Sequence, residues 1–214
     1  MKFCVIGLGR FGYHLATTLA DNGMEVLAID RNKTIVSSIR NNVTQAVCLS
    51  ITDEESLRSV GVEEMDTVIV ATGEDFAQAI LITALLKNRL QTPQIITRAV
   101  NEIHKEILQL IGADRIVLPE QEIGIKVADS LSSPFMSLMR LSSDFSISQI
   151  VAPAKFVGKS ITELDLFDKY NCNCIGIKRD TQTVDPIGQH YIISPHDKLI
   201  FSGHNDDLEK IAKL

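Results

Sequence analysis

The sequence contains no apolar run long enough to cross a membrane. A membrane-spanning helix needs roughly 18 or more consecutive apolar residues, and no run in the 214 residues approaches that length. The first apolar run, residues 3–6, is followed at once by glycines, so we expect no signal peptide either. These absences predict a soluble, cytoplasmic protein that does not insert into a membrane.

Positive charge is also scarce. The 21 Lys and Arg residues are outnumbered by 27 Asp and Glu residues, and the formal net charge is −6. Proteins that bind nucleic acids or anionic bilayers use Lys and Arg to neutralise phosphates. An acidic chain is poorly suited to either surface, so we expect no nucleic acid among its partners.

The sequence has few cysteines, and their spacing argues against a metal or redox role. Cys4 and Cys48 lie within apolar, strand-like runs and are predicted to be buried thiols. Cys172 and Cys174 are separated by one residue, whereas zinc and redox motifs place two residues between their cysteines.

The first 120 residues contain a regular alternation of short apolar runs and segments of helical periodicity. The runs are rich in Val and Ile and nearly continuous in hydrophobicity, which is typical of strands covered on both faces of a parallel sheet. Six βα repeats of this kind predict a doubly wound, Rossmann-like α/β domain. The predicted strands are residues 3–6, 26–29, 46–49, 67–71, 94–97 and 115–118.

The pattern changes after Pro119. Apolar residues at helical spacing predict a helix that breaks at Pro134 and resumes towards Ser142, as a connector would. We predict a nucleotide-binding domain over residues 1–118, a crossover helix and hinge over 119–143, and a small α+β lobe over 144–214. The predicted elements of that lobe are strands 146–151, 174–178, 190–193 and 198–201 and helices 161–166 and 206–213.

A glycine-rich motif stands directly between the first predicted strand and the first predicted helix. It reads Gly7-Leu8-Gly9-Arg10-Phe11-Gly12. In this context Gly7 permits the tight turn, Gly9 lets the backbone approach a phosphate, and Gly12 lets the helix pack against the strand. N–H groups at the start of the helix would bind the phosphate. The alternative is a glycine-rich turn without a ligand.

Two charged residues near this motif favour a particular ligand. Asp30 ends the second predicted strand, 18 residues after Gly12, where a carboxylate accepts hydrogen bonds from ribose hydroxyls. It would repel the 2′-phosphate of NADP despite the neighbouring Arg31. The alternative is that Asp30 caps the helix starting at Asn32. Arg10 would add charge-assisted bonds to a polyphosphate, or else it is a solvated residue at the helix start.

Further candidates follow other predicted strands, at the edge where such sheets bind ligands. Arg98 ends the fifth strand and His104 follows it in the next helix, so both could face phosphates, although either could also be a surface residue. Ser50 and Ile51 could line an adenine slot. The remaining candidates are Ala71, Thr72, Gly73, Glu74 and Ala99.

With these motifs the sequence resembles the RCK-type (KTN/TrkA-N) regulatory subunits of Ktr and Trk potassium uptake systems. The resemblance covers nearly the whole chain. Beyond the glycine motif, it rests on Asp30-Arg31, Ser50-Ile51-Thr52-Asp53, Ala71-Thr72-Gly73, Arg98, Ile111-Gly112-Ala113-Asp114 and Pro119-Glu120. At Ser50 many members carry Asp or Asn, and at Ile51 they carry Ala.

The resemblance implies a function that spacing alone does not. It implies a cytosolic subunit that binds ATP, ADP or NAD(H) and forms homodimers through the crossover region. These dimers would assemble into an octameric ring at the inner face of the membrane, and the ring would gate a membrane potassium-translocating subunit. It also implies that Glu120 lies beside the γ-phosphate and helps to hold Mg²⁺ or Ca²⁺ between two subunits. The alternative for Glu120 is an acid favoured by the helix dipole. Some relatives bind cyclic di-AMP in the C-terminal lobe, where residues 161–177 correspond without a matching motif.

The main alternative function is a small NAD-dependent oxidoreductase. It would need a proton-transfer residue facing the nicotinamide. His190, His196 and His204 lie near predicted turns or strand ends, without an Asp or Lys at a recognisable catalytic spacing. We therefore expect a regulator that is not an enzyme. A redox-sensing transcription factor is disfavoured because the acidic chain has no basic DNA-binding element.

Overall fold

The structure is a computed structural model that describes residues 1–73, 75–132, 137–178 and 184–214. The predicted site residue Glu74 and the helix break predicted at Pro134 lie outside the described residues. The chain divides into two compact units, Met1–Glu122 and Ile123–Leu214. In the described part of the chain, no helix is long and apolar enough to span a membrane.

The first unit is built around six parallel strands. They are β1 (Lys2–Ile6), β2 (Glu25–Asp30), β3 (Gln45–Cys48), β4 (Thr67–Val70), β5 (Gln94–Arg98) and β6 (Arg115–Val117). Their order in the sheet is β3-β2-β1-β4-β5-β6, so the direction of winding reverses between β1 and β4. This order confirms the predicted doubly wound fold, in which ligands bind beyond the carboxyl ends of the strands.

Helices connect these strands and cover the sheet. They are α1 (Arg10–Asp21), α2 (Lys33–Ile39), α3 (Glu54–Arg58), α4 (Phe76–Leu85) and α5 (Glu102–Ile111), with a 3-10 turn at Val62–Glu64 and a π-helical turn at Leu86–Leu90. Successive residues of β1 enter different cores: Cys4 and Ile6 pack in one apolar cluster, and Val5 packs in the other. The nearly continuous apolar runs therefore reflect a sheet buried on both faces.

Two cysteines of this sheet have different environments. Cys4 is fully buried, as predicted, and burial raises the pKa of its thiol far above the ordinary value. Cys48 was predicted to be buried as well, and this prediction is wrong because its side chain is exposed. The physical reason is its place in the sheet, since Cys48 is the last residue of the edge strand β3.

The second unit contains a five-stranded antiparallel sheet of order β10-β9-β11-β8-β7. Its strands are β7 (Ser137–Arg140), β8 (Phe145–Val151), β9 (Cys172–Lys178), β10 (Val184–Pro186) and β11 (Lys198–His204). Its helices are α7 (Ile161–Leu164), α8 (Leu166–Tyr170) and α9 (Asn205–Ala212), while α6 (Pro119–Ser132) begins in the first unit and ends in the second. Phe156, Leu199 and Phe201 are among the buried residues of its core.

This lobe contains two elements that were not predicted, β10 and α8, and three of its predicted elements differ from the structure. The helix predicted over 161–166 ends at Leu164. The resumed helix before Ser142 is instead the strand β7, which pairs with β8. Over so few residues an apolar pattern of period two cannot be distinguished from one of helical period. The strand predicted over 190–193 is only an isolated bridge between Ser160 and Ile192, because the backbone of Ile193 bonds to the loop at Gly158 and Lys159.

Candidate functional site

A cavity of about 1030 Å³ lies at the carboxyl edge of the parallel sheet. Its wall combines the glycine motif with the segments that follow β2, β3 and β4, with Arg98 at the end of β5 and with Glu120 beyond β6, as expected for the point where the winding reverses. The predicted site residues that line it are Gly7, Leu8, Gly9, Arg10, Phe11, Asp30, Arg31, Asn32, Ile51, Ala71, Thr72, Gly73, Arg98 and Glu120.

The three motif glycines have different surroundings. Gly7 has a φ of 93°, which disfavours any residue with a side chain. A Cβ on Gly12 would overlap the carbonyl oxygen of Gly7, so Gly12 allows α1 to pack tightly against the turn. A Cβ on Gly9 would meet nothing within 4 Å, so open space lies next to the backbone there. Gly9 is therefore the motif glycine where a phosphate could approach the main chain.

Asp30 organises the turn as well as lining the cavity. Its carboxylate accepts hydrogen bonds from the N–H of Leu8 at 2.6 Å and from the N–H of Asn32 at 2.7 Å. The cap of α2 is Asn32, whose side chain accepts from the N–H of Thr34 at 2.9 Å, so the alternative cap role for Asp30 is wrong. Each carboxylate oxygen keeps acceptor capacity for a second donor such as a ribose hydroxyl.

Helix α1 begins at the cavity without a side-chain cap. Its N-cap is Gly9, and its first turn contains no acidic residue, but it contains Arg10. The neighbouring helices α2, α4 and α5 are capped by the side chains of Asn32, Asp75 and Asn101. The N–H groups of the first turn of α1 are therefore open to an anion, which the helix dipole also favours.

Arg98 and Glu120 form an ion pair on the cavity wall. Nη2 of Arg98 lies 2.5 Å from Oε1 of Glu120, and the side chains are 17% and 68% exposed respectively. Nε of Arg98 is buried and has no hydrogen-bond partner within the described residues. The guanidinium lies against Gly73, where a Cβ would overlap it. Arg98 is thus a largely buried cation with unused donor capacity.

The charges on the cavity wall are unequally paired. Asp30 and Asp75 accept backbone N–H groups, and Glu120 accepts the ion pair described above. Arg10 and Arg31, in contrast, have no ion-pair partner in the part of the chain that the structure describes. The acids are thus compensated within the protein while two cations are not, which gives the cavity free capacity for an anion.

The described residues alone do not supply a complete metal site. Within the described ranges, no group of three or more His, Cys, Asp or Glu residues is arranged to hold a metal ion. Glu120 offers one carboxylate, and one of its oxygens is already bonded to Arg98. Hard cations such as Mg²⁺ need about six oxygen ligands. The residues present therefore do not fit a resident metal by themselves.

Some predicted residues lie elsewhere, and the cavity has lining residues that the sequence reasoning missed. Gly12 and Ala99 are buried in the core, and Ser50 is exposed away from the cavity wall. His104 is also off the wall and stacks on Phe76 with 3.5 Å between ring centroids. The lining residues that were missed are Ile6, Tyr13, His14, Ile29, Ile35, Ser38, Leu49, Asp75 and Gln78.

Helical spacing could have indicated one of the missed residues, His14. His14 follows Arg10 by one turn and therefore lies on the same face of α1. Tyr13 reaches across to α2, where its hydroxyl donates to the carbonyl of Ser38 at 3.4 Å. The groove between α1 and α2 is therefore part of the cavity wall.

Comparisons with known proteins give consistent results over both units. The TrkA-N domain family matches residues 3–119, and the TrkA-C domain family matches residues 146–214. Ktr system potassium uptake protein A of Bacillus subtilis (strain 168) is 38% identical over 210 residues, covering 98% of this chain and 94% of that protein. Ktr system potassium uptake protein A of Vibrio alginolyticus is 30% identical over 213 residues, covering 99% of this chain and 96% of that protein.

Solved structures share the fold. The GsuK RCK domain aligns with a TM-score of 0.54 at 21% identity, covering 99% of this chain and 46% of that chain. GsuK bound to ADP aligns with a TM-score of 0.52 at 26% identity, covering 61% of this chain and 33% of that chain. Because the sequence similarity extends over both domains and over nearly the whole length of the relatives, the chain belongs to the family of RCK-type regulatory subunits of Ktr and Trk potassium uptake systems.

Proposed function

We propose that this chain is the nucleotide-binding subunit that regulates a membrane potassium-translocating subunit. The observation that carries the proposal is the cavity. The open start of α1 faces it, together with two arginines that have no ion-pair partner among the described residues. These are the groups that bind phosphate. The potassium system is supported by the relatives named Ktr system potassium uptake protein, which this chain matches over nearly its whole length.

The proposed ligand is ATP or ADP, with NAD(H) as the second candidate. The cavity of about 1030 Å³ is at the upper end of the range for small-molecule sites. The similar GsuK structure bound to ADP supports an adenine nucleotide. Asp30 would accept the ribose hydroxyls, while Gly9 and Arg10 would hold phosphates. The phosphates of a bound nucleotide would pair with Arg10 and Arg31, for which the described residues supply no ion-pair partner.

Regulation would require that ATP and ADP bind two states of the protein with different affinities, because equal affinities shift no equilibrium. The proposed states are two shapes of an octameric ring of homodimers, situated in the cytoplasm against the inner face of the membrane subunit. Support for the dimer comes from α6, where Ile123, Val127 and Leu131 are 56%, 50% and 81% exposed. They recur at helical spacing, and a second copy of the chain would cover this apolar stripe.

The role of Glu120 in holding Mg²⁺ or Ca²⁺ remains a prediction. Glu120 supplies a single carboxylate, and we propose that the other ligands are phosphate oxygens, water or groups of a second subunit. Because Oε1 of Glu120 is bonded to Arg98, the carboxylate would reach a cation through its other oxygen or after leaving Arg98.

Replacing Arg10 with Gln tests the proposed function. We expect the affinity for ATP to fall about tenfold, which corresponds to about 1.4 kcal/mol, because one charge-assisted contact is lost. Binding of adenosine should not change. Calorimetric titration measures both affinities, and light scattering at saturating ATP and ADP reports the size of the assembly. Arg40→Gln is the matched control, since Arg40 is exposed at the end of α2 and does not line the cavity.

The oxidoreductase alternative predicts a different result. His190, His196 and His204 all lie in the second unit, and none lines the cavity. A monomeric protein that oxidises NADH with a carbonyl substrate and binds neither ATP nor ADP would reject the regulatory proposal.

A further inference from the structure

Glu120 is paired with Arg98, a cation that the phosphate of a ligand would otherwise contact. Both residues line the same cavity as Gly9 and Arg10. Arg98 Nη2 and Glu120 Oε1 are 2.5 Å apart, which is a short, charge-assisted contact. A carboxylate and a phosphate cannot both use that edge of the guanidinium.

The two partners are held unequally. Arg98 is 17% exposed, and its guanidinium lies directly against the backbone at Gly73. Its Nε is buried and has no hydrogen-bond partner in the described part of the chain. Glu120, in contrast, is 68% exposed and belongs to the first turn of α6. Moving Glu120 into water is therefore inexpensive, whereas moving Arg98 would disturb its packing. If an anion enters, Glu120 is the partner that leaves.

We propose that Glu120 is a built-in competitor that holds Arg98 until the phosphate end of the ligand displaces it. This inference rests on the proposed function, because the competing anion is the phosphate of the proposed nucleotide. The competition makes Arg98 respond to the negative charge of the ligand, and a nucleoside without phosphate leaves the pair intact. Arg98 is thus a specificity-determining residue, and Glu120 is a positioning residue that acts through it.

Binding to the full-length chain in excess EDTA tests this role without any metal. Glu120→Gln should bind ATP about threefold to tenfold more tightly than the wild type, because a partly exposed ion pair no longer has to be broken. Adenosine should bind both proteins equally. Glu122→Gln is the matched control, since Glu122 also lies in the first turn of α6, is exposed and does not line the cavity. Its affinity for ATP should stay within about twofold of the wild type.

A double-mutant cycle shows whether Glu120 acts through Arg98. Arg98→Gln should weaken ATP binding, and adding Glu120→Gln to it should give no further gain. If the wild type binds ATP but Glu120→Gln binds it equally or more weakly in EDTA, the competition is refuted while the proposed function stands. A gain that persists in the Arg98→Gln background also refutes it. If neither the wild type nor Glu120→Gln binds ATP, the proposed function itself fails.

Discussion

The two edges of the parallel sheet use charge in different ways. At the amino edge, acidic side chains bond to the ends of the strands: Asp66 accepts the N–H of Lys2 at 2.7 Å, and Asp114 accepts the N–H of Ile95 at 2.7 Å. Lys87 adds an ion pair to Asp114 at 3.0 Å. At the carboxyl edge, the start of α1 is uncapped and two arginines of the cavity wall have no ion-pair partner in the described part of the chain.

This difference between the two edges distinguishes charged groups that stabilise the fold from charged groups that can bind a ligand. Charges at the amino edge are compensated by neighbours, so they contribute to stability without a ligand. At the carboxyl edge, Arg10 and Arg31 have no ion-pair partner among the described residues and are left for an external partner, at some cost to stability. Neutral groups show no such difference between the edges. The hydroxyls of Thr72 and Thr92 lie at opposite edges, and both are buried without a hydrogen-bond partner among the residues that the structure describes. The contrast therefore lies in the pairing of charge.

Replacing Gly12 with Ala is expected to have the largest effect. The added methyl group would overlap the carbonyl oxygen of Gly7, so α1 must move away from the turn. We expect the free energy of unfolding to fall by roughly 2–3 kcal/mol, as in other overpacked sites. Gly9→Ala is the sharper comparison, since its methyl group would meet nothing within 4 Å. Gly9→Ala should weaken ATP binding and leave the free energy of unfolding in urea nearly unchanged. Equal destabilisation by the two variants would contradict the assignment of Gly12 to packing and of Gly9 to phosphate binding.

Replacing Gly73 with Ala should affect binding more than stability. The new methyl group would displace the guanidinium of Arg98, which is the flexible end of a long side chain. We expect ATP affinity to fall about tenfold and the free energy of unfolding to change by less than about 1 kcal/mol. Gly124→Ala, where a methyl group meets nothing within 4 Å, is the control for titration calorimetry. Unchanged ATP affinity of Gly73→Ala would remove Arg98 from the binding surface.

The sequence was sufficient to predict the parallel sheet because its strands are buried on both faces, so their apolar runs are continuous. The glycine motif was recognisable for a similar reason, since its spacing follows from local backbone geometry. The pair between Arg98 and Glu120 was not predictable, because its members are far apart in sequence and meet only through the pairing of β5 with β6. The stacking of His104 on Phe76 likewise depends on how α4 and α5 pack together.

The differences in the second unit have another cause. The apolar pattern near Ser142 was compatible with a helix or a strand, and pairing with β8 determined that residues 137–140 form a strand. The helix predicted over 161–166 ends at Leu164 because Asp165 takes a left-handed conformation with a φ of 50°. Such a conformation at Asp has only a weak sequence signal, since Asn, Asp and Gly all adopt it.

Replacing Asp114 with Asn is the smallest change and tests the amino edge. Burial raises the pKa of Asp114, but hydrogen bonds from the Ile95 N–H and from Lys87 lower it more, so the net pKa lies below the ordinary value. A lowered pKa stabilises the fold above the unfolded-state pKa of about 3.9, and the contribution disappears as the pH falls through the folded-state pKa. Because the Asp114 side chain is 36% exposed, we expect Asp114→Asn to cost less than about 1 kcal/mol at pH 7.

The pH dependence of that loss is what makes the variant informative. In urea unfolding, the wild type and Asp114→Asn should differ at pH 7 and converge as the pH falls below about 4, because the wild-type carboxylate then takes up a proton. ATP affinity should be the same for both proteins, since Asp114 does not line the cavity. Asp21→Asn, at the exposed end of α1, should differ from the wild type by less than about 0.5 kcal/mol. A stability difference that persists at low pH would show that Asp114 acts through packing, and a change in ATP affinity would show that the two edges of the sheet are not independent.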